Sequence, residues 1–256
     1  MKKIISIVLL VSMIITATGC SAAPEEKQVT ILVAAAASMQ PSLEELKLLF
    51  EAKYPHIKVE ATYDSSGKLQ TQIEEGMDAD IFLSAAMKQM NALKDKNLVD
   101  GDSVTQLLEN QVVLIVPKDV ESKVTSFENI LHADKIAIGD PASVPAGQYA
   151  KEILDSLGMF DKVEAKASLG TNVTEVLNWV AEGSADAGIV YATDAATTDK
   201  VVVVANAPEG TLKDPVIYPI GLVSASKKKE AAKLYMEFLQ SDEAKVILEK
   251  YGFLVK

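Results

Sequence analysis

The chain has 256 residues, 48% of them hydrophobic, and a formal net charge of −11 at neutral pH. A chain of this length and composition can bury one large core or two smaller ones, which argues against extended disorder. The acidic balance argues against nucleic acid as a partner, because the phosphates would be repelled. An anion site in this protein must therefore depend on short-range hydrogen bonds.

The first 20 residues, MKKIISIVLLVSMIITATGC, carry two lysines, an apolar run over residues 4–15 and small residues before Cys20. That order is typical of a secretory signal. Cys20 is the only cysteine, so no disulfide can form within the chain.

The same segment resembles a bacterial lipoprotein signal. The resemblance implies a signal peptide over residues 1–19, a lipid on Cys20, and a tether over residues 20–28 that holds the protein on the extracytoplasmic face of the cell membrane. Ordinary cleavage nearby, without a lipid, is the alternative.

From Val29 onward, strand-like and helix-like segments alternate, which is typical of an α/β protein with largely parallel sheets. The strand VTILVAA precedes a helical pattern that ends at Tyr54-Pro55, and further strands are predicted over residues 57–63 and 78–85. A second round begins with the apolar QVVLIVPKD and includes strands at residues 187–191 and 200–208. Helical patterns over residues 228–240 and 242–251 follow.

These two rounds of strands and helices predict two lobes. The C-terminal segment is not needed to complete the second round, which indicates that the chain returns to the first lobe. The chain would cross between them near residues 108–111 and 205–215. Lobe 1 is predicted over residues 29–109 plus 212–256, and lobe 2 over residues 110–211. Ligands of such proteins bind in the cleft between the lobes.

The first strand ends in AAAASMQP, which offers open space and one hydroxyl. If Ser38 caps a helix beginning at Met39, Pro41 falls in the first turn, where its missing N–H costs nothing. The Ser38 hydroxyl then stays available to a ligand. The alternative is that Ser42 is the cap, in a capping box with Glu45, and that Ser38 is a loop residue.

Similar turns recur along the chain, each with small or hydroxyl-bearing residues at a strand end or a helix start. Backbone N–H groups at such positions bind anions. The turns are Ser65-Ser66-Gly67, Pro145-Ala146-Gly147, Val173 within an Asn172/Glu175 capping box, and Tyr191 at the end of GIVY. Together they would suit a compact oxyanion held by neutral donors.

The sequence gives less support to a catalytic site or a metal site. His56 and His132 have no acid at a telling spacing, and the G-x-S-x-G elbow, the P-loop and the dinucleotide fingerprint are missing from the sequence. The acidic stretch EEGMDAD could bind calcium, but its spacing differs from that of an EF-hand loop. A solvated acidic turn, with Asp80 anchoring nearby backbone N–H groups, is the simpler interpretation.

From Val29 to Lys256 the chain resembles the molybdate-binding proteins of ABC importers. The matching stretches, in the family's order, are VAAAASM, SSGKLQTQIEEG, ADIFLSA, GDPASVPAGQYAKEIL, GIVYATDA and YGFLVK. The resemblance implies an α/β, two-lobed type II periplasmic-binding-protein fold, with mixed, mainly parallel sheets flanked by helices and a ligand cleft between the lobes.

The resemblance also implies the groups that hold the ligand. They are the hydroxyl and N–H of Ser38 and Ser66, the N–H of Ala146 and Val173, and the hydroxyl of Tyr191. Gly67 stands where relatives carry a third serine or another small residue. The ligand would be molybdate or tungstate, bound as an oxyanion with no direct protein–metal bond and no cofactor.

The implied partner is a membrane permease, served by a monomeric binding protein that is not an enzyme. A fully deprotonated anion needs donors only, and every implied group is a donor. Two alternatives remain open: a carrier for sulfate, phosphate or thiosulfate, and an exported serine hydrolase that uses Ser38 or Ser66.

Overall fold

The computed structural model describes residues 27–255. The signal peptide, Cys20 and most of the tether lie outside the described residues, so those predictions stay predictions. No helix within residues 27–255 is long and apolar enough to cross a membrane.

The strands form two sheets. The six strands of the first sheet are β1 (Val29–Ala36), β2 (Ile57–Asp64), β3 (Ile81–Leu83), β4 (Thr105–Asn110), β10 (Val216–Leu222) and β11 (Leu254–Val255). The five strands of the second sheet are β5 (Val112–Pro117), β6 (Ile136–Gly139), β7 (Ala167–Gly170), β8 (Ala187–Tyr191) and β9 (Val201–Asn206).

Helices pack against both sheets. They are α1 (Gln40–Lys53), α2 (Ser66–Glu74), α3 (Met87–Asp95), α4 (Pro145–Ser156), α5 (Phe160–Glu164), α6 (Val173–Ala181), α7 (Ala192–Ala195), α8 (Lys229–Leu239) and α9 (Asp242–Lys250). Short 3₁₀ segments lie at Ala37–Met39, Gly101–Ser103 and Phe127–His132.

The strand order is β11-β4-β10-β3-β1-β2 in the first sheet and β7-β6-β8-β5-β9 in the second. The α/β class with two mixed sheets flanked by helices is therefore confirmed. The balance of pairing differs from the prediction, since among the described strands four neighbouring pairs are parallel and five are antiparallel. The antiparallel pairs all involve β10, β4 or β5, which lie next to the points where the chain passes from one sheet to the other.

The chain passes between the sheets twice, after β4 and after β9. The first sheet therefore draws its strands from both ends of the described chain and the second from its middle. No observation tests the exact lobe limits, 29–109 plus 212–256 and 110–211, which stay a prediction.

The alanine-rich strand β1 lies between β2 and β3 in the first sheet and pairs in parallel with both. Its residues Ile31, Val33, Ala34 and Ala35 are buried. Strands covered on both faces read as continuous apolar runs, which explains why the stretch from Ile31 to Ala37 shows no alternation. The end of β1 is thereby fixed in position beside the short turn that carries Ser38.

The Asp80 carboxylate anchors the first sheet, as the sequence predicts. Its Oδ2 accepts the Leu32 N–H at 2.8 Å and the Lys228 ammonium at 3.1 Å, and its Oδ1 accepts the Ser226 hydroxyl at 2.7 Å. Glu74 pairs instead with Lys96 at 2.7 Å. Within residues 27–255 no group of three or more His, Cys, Asp or Glu side chains could hold a metal ion.

Candidate functional site

A small cavity lies between the two sheets, where strand ends and helix starts from both of them meet. Its lining is built almost entirely from small, hydroxyl-bearing or apolar residues: Ala36, Ala37, Ser38, Asp64, Ser65, Ser66, Ala85, Val144, Pro145, Ala146, Val173 and Tyr191. The structure thus brings together all five residues that the sequence predicts as ligand groups. Among residues 27–255, no lysine and no histidine lines the cavity.

The cavity is small. Its volume is about 10 Å³, far below the ~300 Å³ or more of a site for a drug-sized ligand. A sugar or a peptide would not fit without opening the cleft.

Ser38 lies in the 3₁₀ turn that follows β1 and is buried, at 6% exposure. The expectation that it caps a helix at Met39 is wrong, because α1 begins at Gln40, its N-cap is Met39, and that cap makes no side-chain hydrogen bond. The alternative, a Ser42/Glu45 capping box, is also wrong. The Ser42 hydroxyl donates to the Met39 carbonyl at 3.0 Å, and Glu45 pairs with Lys250.

The second serine turn divides two tasks between neighbouring residues. Ser65 is the N-cap of α2 and its hydroxyl accepts the Lys68 N–H at 3.4 Å, which leaves Ser66 free of capping. Ser66 is fully buried, and its Oγ accepts the Ala85 N–H at 2.9 Å. Since a backbone N–H can only donate, the single hydrogen of the Ser66 hydroxyl remains available to the cavity.

Lys68 does not bring its charge to the cavity. Its ammonium pairs with Asp64 Oδ1 at 3.2 Å, and the same oxygen accepts the Ser65 N–H at 2.8 Å. The Asp64 carboxylate, which also lines the cavity, is therefore paired locally with the Lys68 ammonium and the Ser65 N–H.

Two helices of the second sheet start at the cavity. Pro145 opens α4, as predicted, and its N-cap, Val144, has no side-chain oxygen to accept the N–H groups of the first turn. The N–H groups of a first helical turn have no acceptor within the helix, so that of Ala146 is available. The same holds for Val173, the first residue of α6, because the Asn172 cap accepts the N–H of Glu175 instead, at 3.0 Å.

Asn172 caps α6 as predicted, but the capping box is not closed in the predicted way. The Glu175 carboxylate accepts the N–H of Thr171 at 2.6 Å and its hydroxyl at 2.9 Å. The Glu175 charge is thereby directed away from the cavity.

Tyr191 ends β8 and is 1% exposed. Its hydroxyl has no hydrogen-bond partner among the described residues. Burial raises the pKa of this phenol well above its ordinary value, so the group keeps its hydrogen and can donate it. An unpartnered buried hydroxyl is costly, which suggests a partner supplied by a ligand.

The two sides of the cleft are joined by direct contacts. The Gly67 N–H of α2 donates to the Ser143 carbonyl at 2.9 Å, and the Gln89 amide of α3 donates to that of Gln148 on α4 at 3.1 Å. A Cβ added at Gly67 would overlap the Ser143 carbonyl oxygen. Gly67 is therefore a contact between the two halves in a closed cleft.

Two buried side chains behind the cavity were not found by the sequence analysis. The hydroxyl oxygen of Tyr218, on β10, lies 2.9 Å from Ser38 Oγ. The amide nitrogen of Asn110, at the end of β4, lies 3.2 Å from that Tyr218 oxygen. Neither belongs to a turn or a motif with a recognisable chemistry. No signal in the sequence alone could have connected positions 180 residues apart.

A family model gives the decisive comparison. The model of the bacterial extracellular solute-binding proteins matches residues 31–254. The chain belongs to this family. The match spans both sheets, so the whole described fold, including the cavity, is that of a solute-binding protein.

Curated relatives of this solute-binding protein match it at nearly full length. YvgL of Bacillus subtilis, provisionally assigned as an ABC transporter substrate-binding lipoprotein, is 45% identical over 92% of both chains. The molybdate-binding protein ModA of Haemophilus influenzae is 36% identical over 100% of both. Among solved structures, the periplasmic molybdate-binding protein of Azotobacter vinelandii has a TM-score of 0.77 at 22% identity, covering 88% of this chain and 99% of that one, which supports the fold alone.

Proposed function

We propose that this protein is the extracytoplasmic receptor of an ABC importer and captures molybdate, and also tungstate, between its two lobes. One observation carries the proposal: the residues of the described chain that line the small cavity supply hydroxyls and helix-start N–H groups from both halves of the molecule, and no lysine or histidine is among them. The name of a relative that is 36% identical over its full length supports the choice of anion.

A site whose ligand groups are all hydrogen-bond donors favours an oxyanion that carries no proton. Molybdate is fully deprotonated at neutral pH, so each of its oxygens accepts hydrogen bonds. The cavity offers the hydroxyls of Ser38, Ser66 and Tyr191 and the N–H groups of Ala146 and Val173. Helix N-termini add partial positive charge without a cationic side chain.

The choice between molybdate and sulfate depends on size. Sulfate has the same charge and shape but shorter bonds, so donors placed for molybdate would hold sulfate with stretched hydrogen bonds. Each such displacement costs on the order of a kcal/mol, and ~1.4 kcal/mol is tenfold in affinity. Several stretched bonds together would give strong discrimination.

The remaining features of the proposal concern the rest of the chain. Residues 1–19 are cleaved, Cys20 carries a lipid, and residues 20–28 tether the protein to the outer face of the membrane. The two lobes move relative to each other; one consists of residues 29–109 plus 212–256 and the other of residues 110–211. Closure over the anion presents a joint surface to the permease, and the protein acts as a monomer that binds but does not catalyse.

A titration of the mature protein with molybdate in a calorimeter tests this function. Ser38→Ala removes a proposed ligand hydroxyl and should lower the affinity about tenfold, as the loss of a hydrogen bond to a charged group does. Ser42→Ala is the matched control, because Ser42 is equally buried four residues away but does not line the cavity. Absence of any heat with molybdate would reject the proposed function.

A further inference from the structure

The hydrogen bond between Ser38 and Tyr218 has a direction that its own geometry does not define. The two hydroxyl oxygens lie 2.9 Å apart, and either could donate. The direction matters for an anion in the cavity. If the Ser38 hydroxyl donated its hydrogen to Tyr218, it would present only lone pairs to the anion and would repel it.

Asn110 determines the direction. The backbone N–H of Gln111 lies 2.8 Å from one end of the Asn110 amide. Since that N–H can only donate, the amide atom that receives it is the oxygen, Oδ1. The other end of the amide is therefore Nδ2, a donor with two hydrogens.

Both hydrogens of Nδ2 have acceptors. One lies towards the Thr193 hydroxyl oxygen at 2.9 Å and the other towards the Tyr218 hydroxyl oxygen at 3.2 Å. Tyr218 thus receives a hydrogen bond from Asn110. The Asn110 amide nitrogen cannot accept a hydrogen bond, so the hydrogen of the buried Tyr218 hydroxyl needs another acceptor, and the Ser38 Oγ lies 2.9 Å away.

The ring of Tyr218 is held in place from both sides. It makes an edge contact with Tyr191 at 5.6 Å between centroids and another with Phe253 at 5.4 Å. Phe253 belongs to the terminal YGFLVK stretch, and residues 251–255 of that stretch do not line the cavity. That stretch therefore acts on the site through Tyr218.

We infer that Asn110 and Tyr218 are positioning residues that make Ser38 an obligate donor to the bound oxyanion. Hydrogen bonds run in one direction, from the Asn110 amide to Tyr218, from Tyr218 to Ser38, and from Ser38 to the anion. The Ser66 hydroxyl is also made a donor to the anion, because its oxygen accepts a hydrogen bond from the Ala85 N–H. Both serines then select an oxygen that carries no proton. This inference rests on the proposed function, since it assigns the direction of one of its hydrogen bonds.

A double-mutant cycle on molybdate affinity tests the chain of hydrogen bonds. Tyr218→Phe should weaken binding about tenfold in the wild-type background, because Ser38 loses the partner that orients its hydrogen. In the Ser38→Ala background the same change should alter the affinity less than about twofold, because the hydroxyl through which Tyr218 acts is gone. Equal losses in both backgrounds would overturn the inference.

Two further variants keep the test decisive. Asn110→Ala should weaken binding in the wild-type background and much less in the Ser38→Ala background, and it serves as the second arm if Tyr218→Phe does not fold. Tyr235→Phe is the matched control, since it also removes the hydroxyl of a buried tyrosine but one that packs on Phe50 and Phe238. Its affinity should equal that of the wild type.

The binding measurements distinguish a failure of this inference from a failure of the proposed function. A wild-type protein that binds molybdate while Tyr218→Phe and Asn110→Ala bind equally well contradicts the inference alone. A wild-type protein that does not bind molybdate contradicts the proposed function, and the inference with it.

Discussion

The N–H of Gly67 donates to the carbonyl of Ser143 at 2.9 Å, which joins the start of α2 to the turn before α4 across the cleft. The approach is so close that a Cβ on residue 67 would overlap the Ser143 carbonyl oxygen. From the sequence, Gly67 belongs to a turn predicted to bind the anion and stands where relatives carry a third serine or another small residue. Its position indicates instead that a glycine is needed for the two halves to meet.

Gly67→Ala should therefore weaken molybdate binding by tenfold or more, because the cleft could not close fully over the ion. The free energy of unfolding of the ligand-free protein should stay the same or rise by up to about 1 kcal/mol, since alanine is the better helix former. Calorimetry and thermal unfolding measure the two quantities. Gln72→Ala, an exposed position on the same helix, is the control. An affinity equal to that of the wild type would show that this contact does not accompany closure.

Tyr191→Phe should separate stability from binding. The hydroxyl is buried without a partner among the described residues, so its removal relieves a desolvation cost and should leave the melting temperature of the ligand-free protein equal or higher. Molybdate affinity should fall about tenfold because a donor is lost. An unchanged affinity in calorimetry would remove Tyr191 from the site.

Asp194 should make stability depend on pH. Burial raises the pKa of its carboxyl from an ordinary value of 3.8 to about 7, although hydrogen bonds from the backbone N–H groups of Tyr191 and Asp194 lower it. The folded protein therefore holds this proton more tightly than the unfolded chain. The resulting stabilisation is complete below about pH 4 and is lost as pH rises through about 7.

Asp194→Asn should remove that dependence, because an amide does not titrate. In thermal unfolding at pH 5 and pH 8, the wild type should lose more stability between the two values than the variant does. An identical loss in both proteins would show that Asp194 is already ionised in the folded state at pH 5.

Cys20→Ser should release the protein from the membrane, because Cys20 is the residue proposed to carry the lipid. Fractionation of cells that express the full chain measures the distribution, with Ser21→Ala as a control that keeps the cysteine. Recovery of the Cys20→Ser protein in the membrane fraction with its signal peptide cleaved would refute lipid anchoring.

The sequence could predict those parts of the site that depend on local chemistry. Pro145 opens a helix, Asn172 caps one, and β8 runs from Ala187 to Tyr191, because each feature is encoded within a few residues. The placement of Ser38 at the cavity was predicted as well, but for a wrong reason. The chain makes a 3₁₀ turn at Ala37–Met39 before α1, so Ser38 is held by Tyr218 and not by a helix start.

The sequence could not predict what depends on contacts between distant segments. The contacts of Tyr218 with Ser38, Asn110 and Phe253 join two strands, the 3₁₀ turn after β1 and a residue near the end of the chain. The burial of Asp194 is equally invisible, since ATDA has no apolar pattern that marks the residue as internal. The antiparallel pairing of β4, β5 and β10 follows from the path of the chain between the sheets, which periodicity within a segment does not encode.

The most direct test of the account is thermal unfolding of the mature, unlipidated protein with molybdate, tungstate, sulfate, phosphate and thiosulfate in turn. A ligand at ~1,000 times its Kd stabilises a protein by roughly 4 kcal/mol, which for a chain of this size is a rise in Tm of roughly 10 °C. The account predicts such a rise with molybdate and tungstate and little change with the other three anions. A rise with sulfate or phosphate, and none with molybdate, would contradict it.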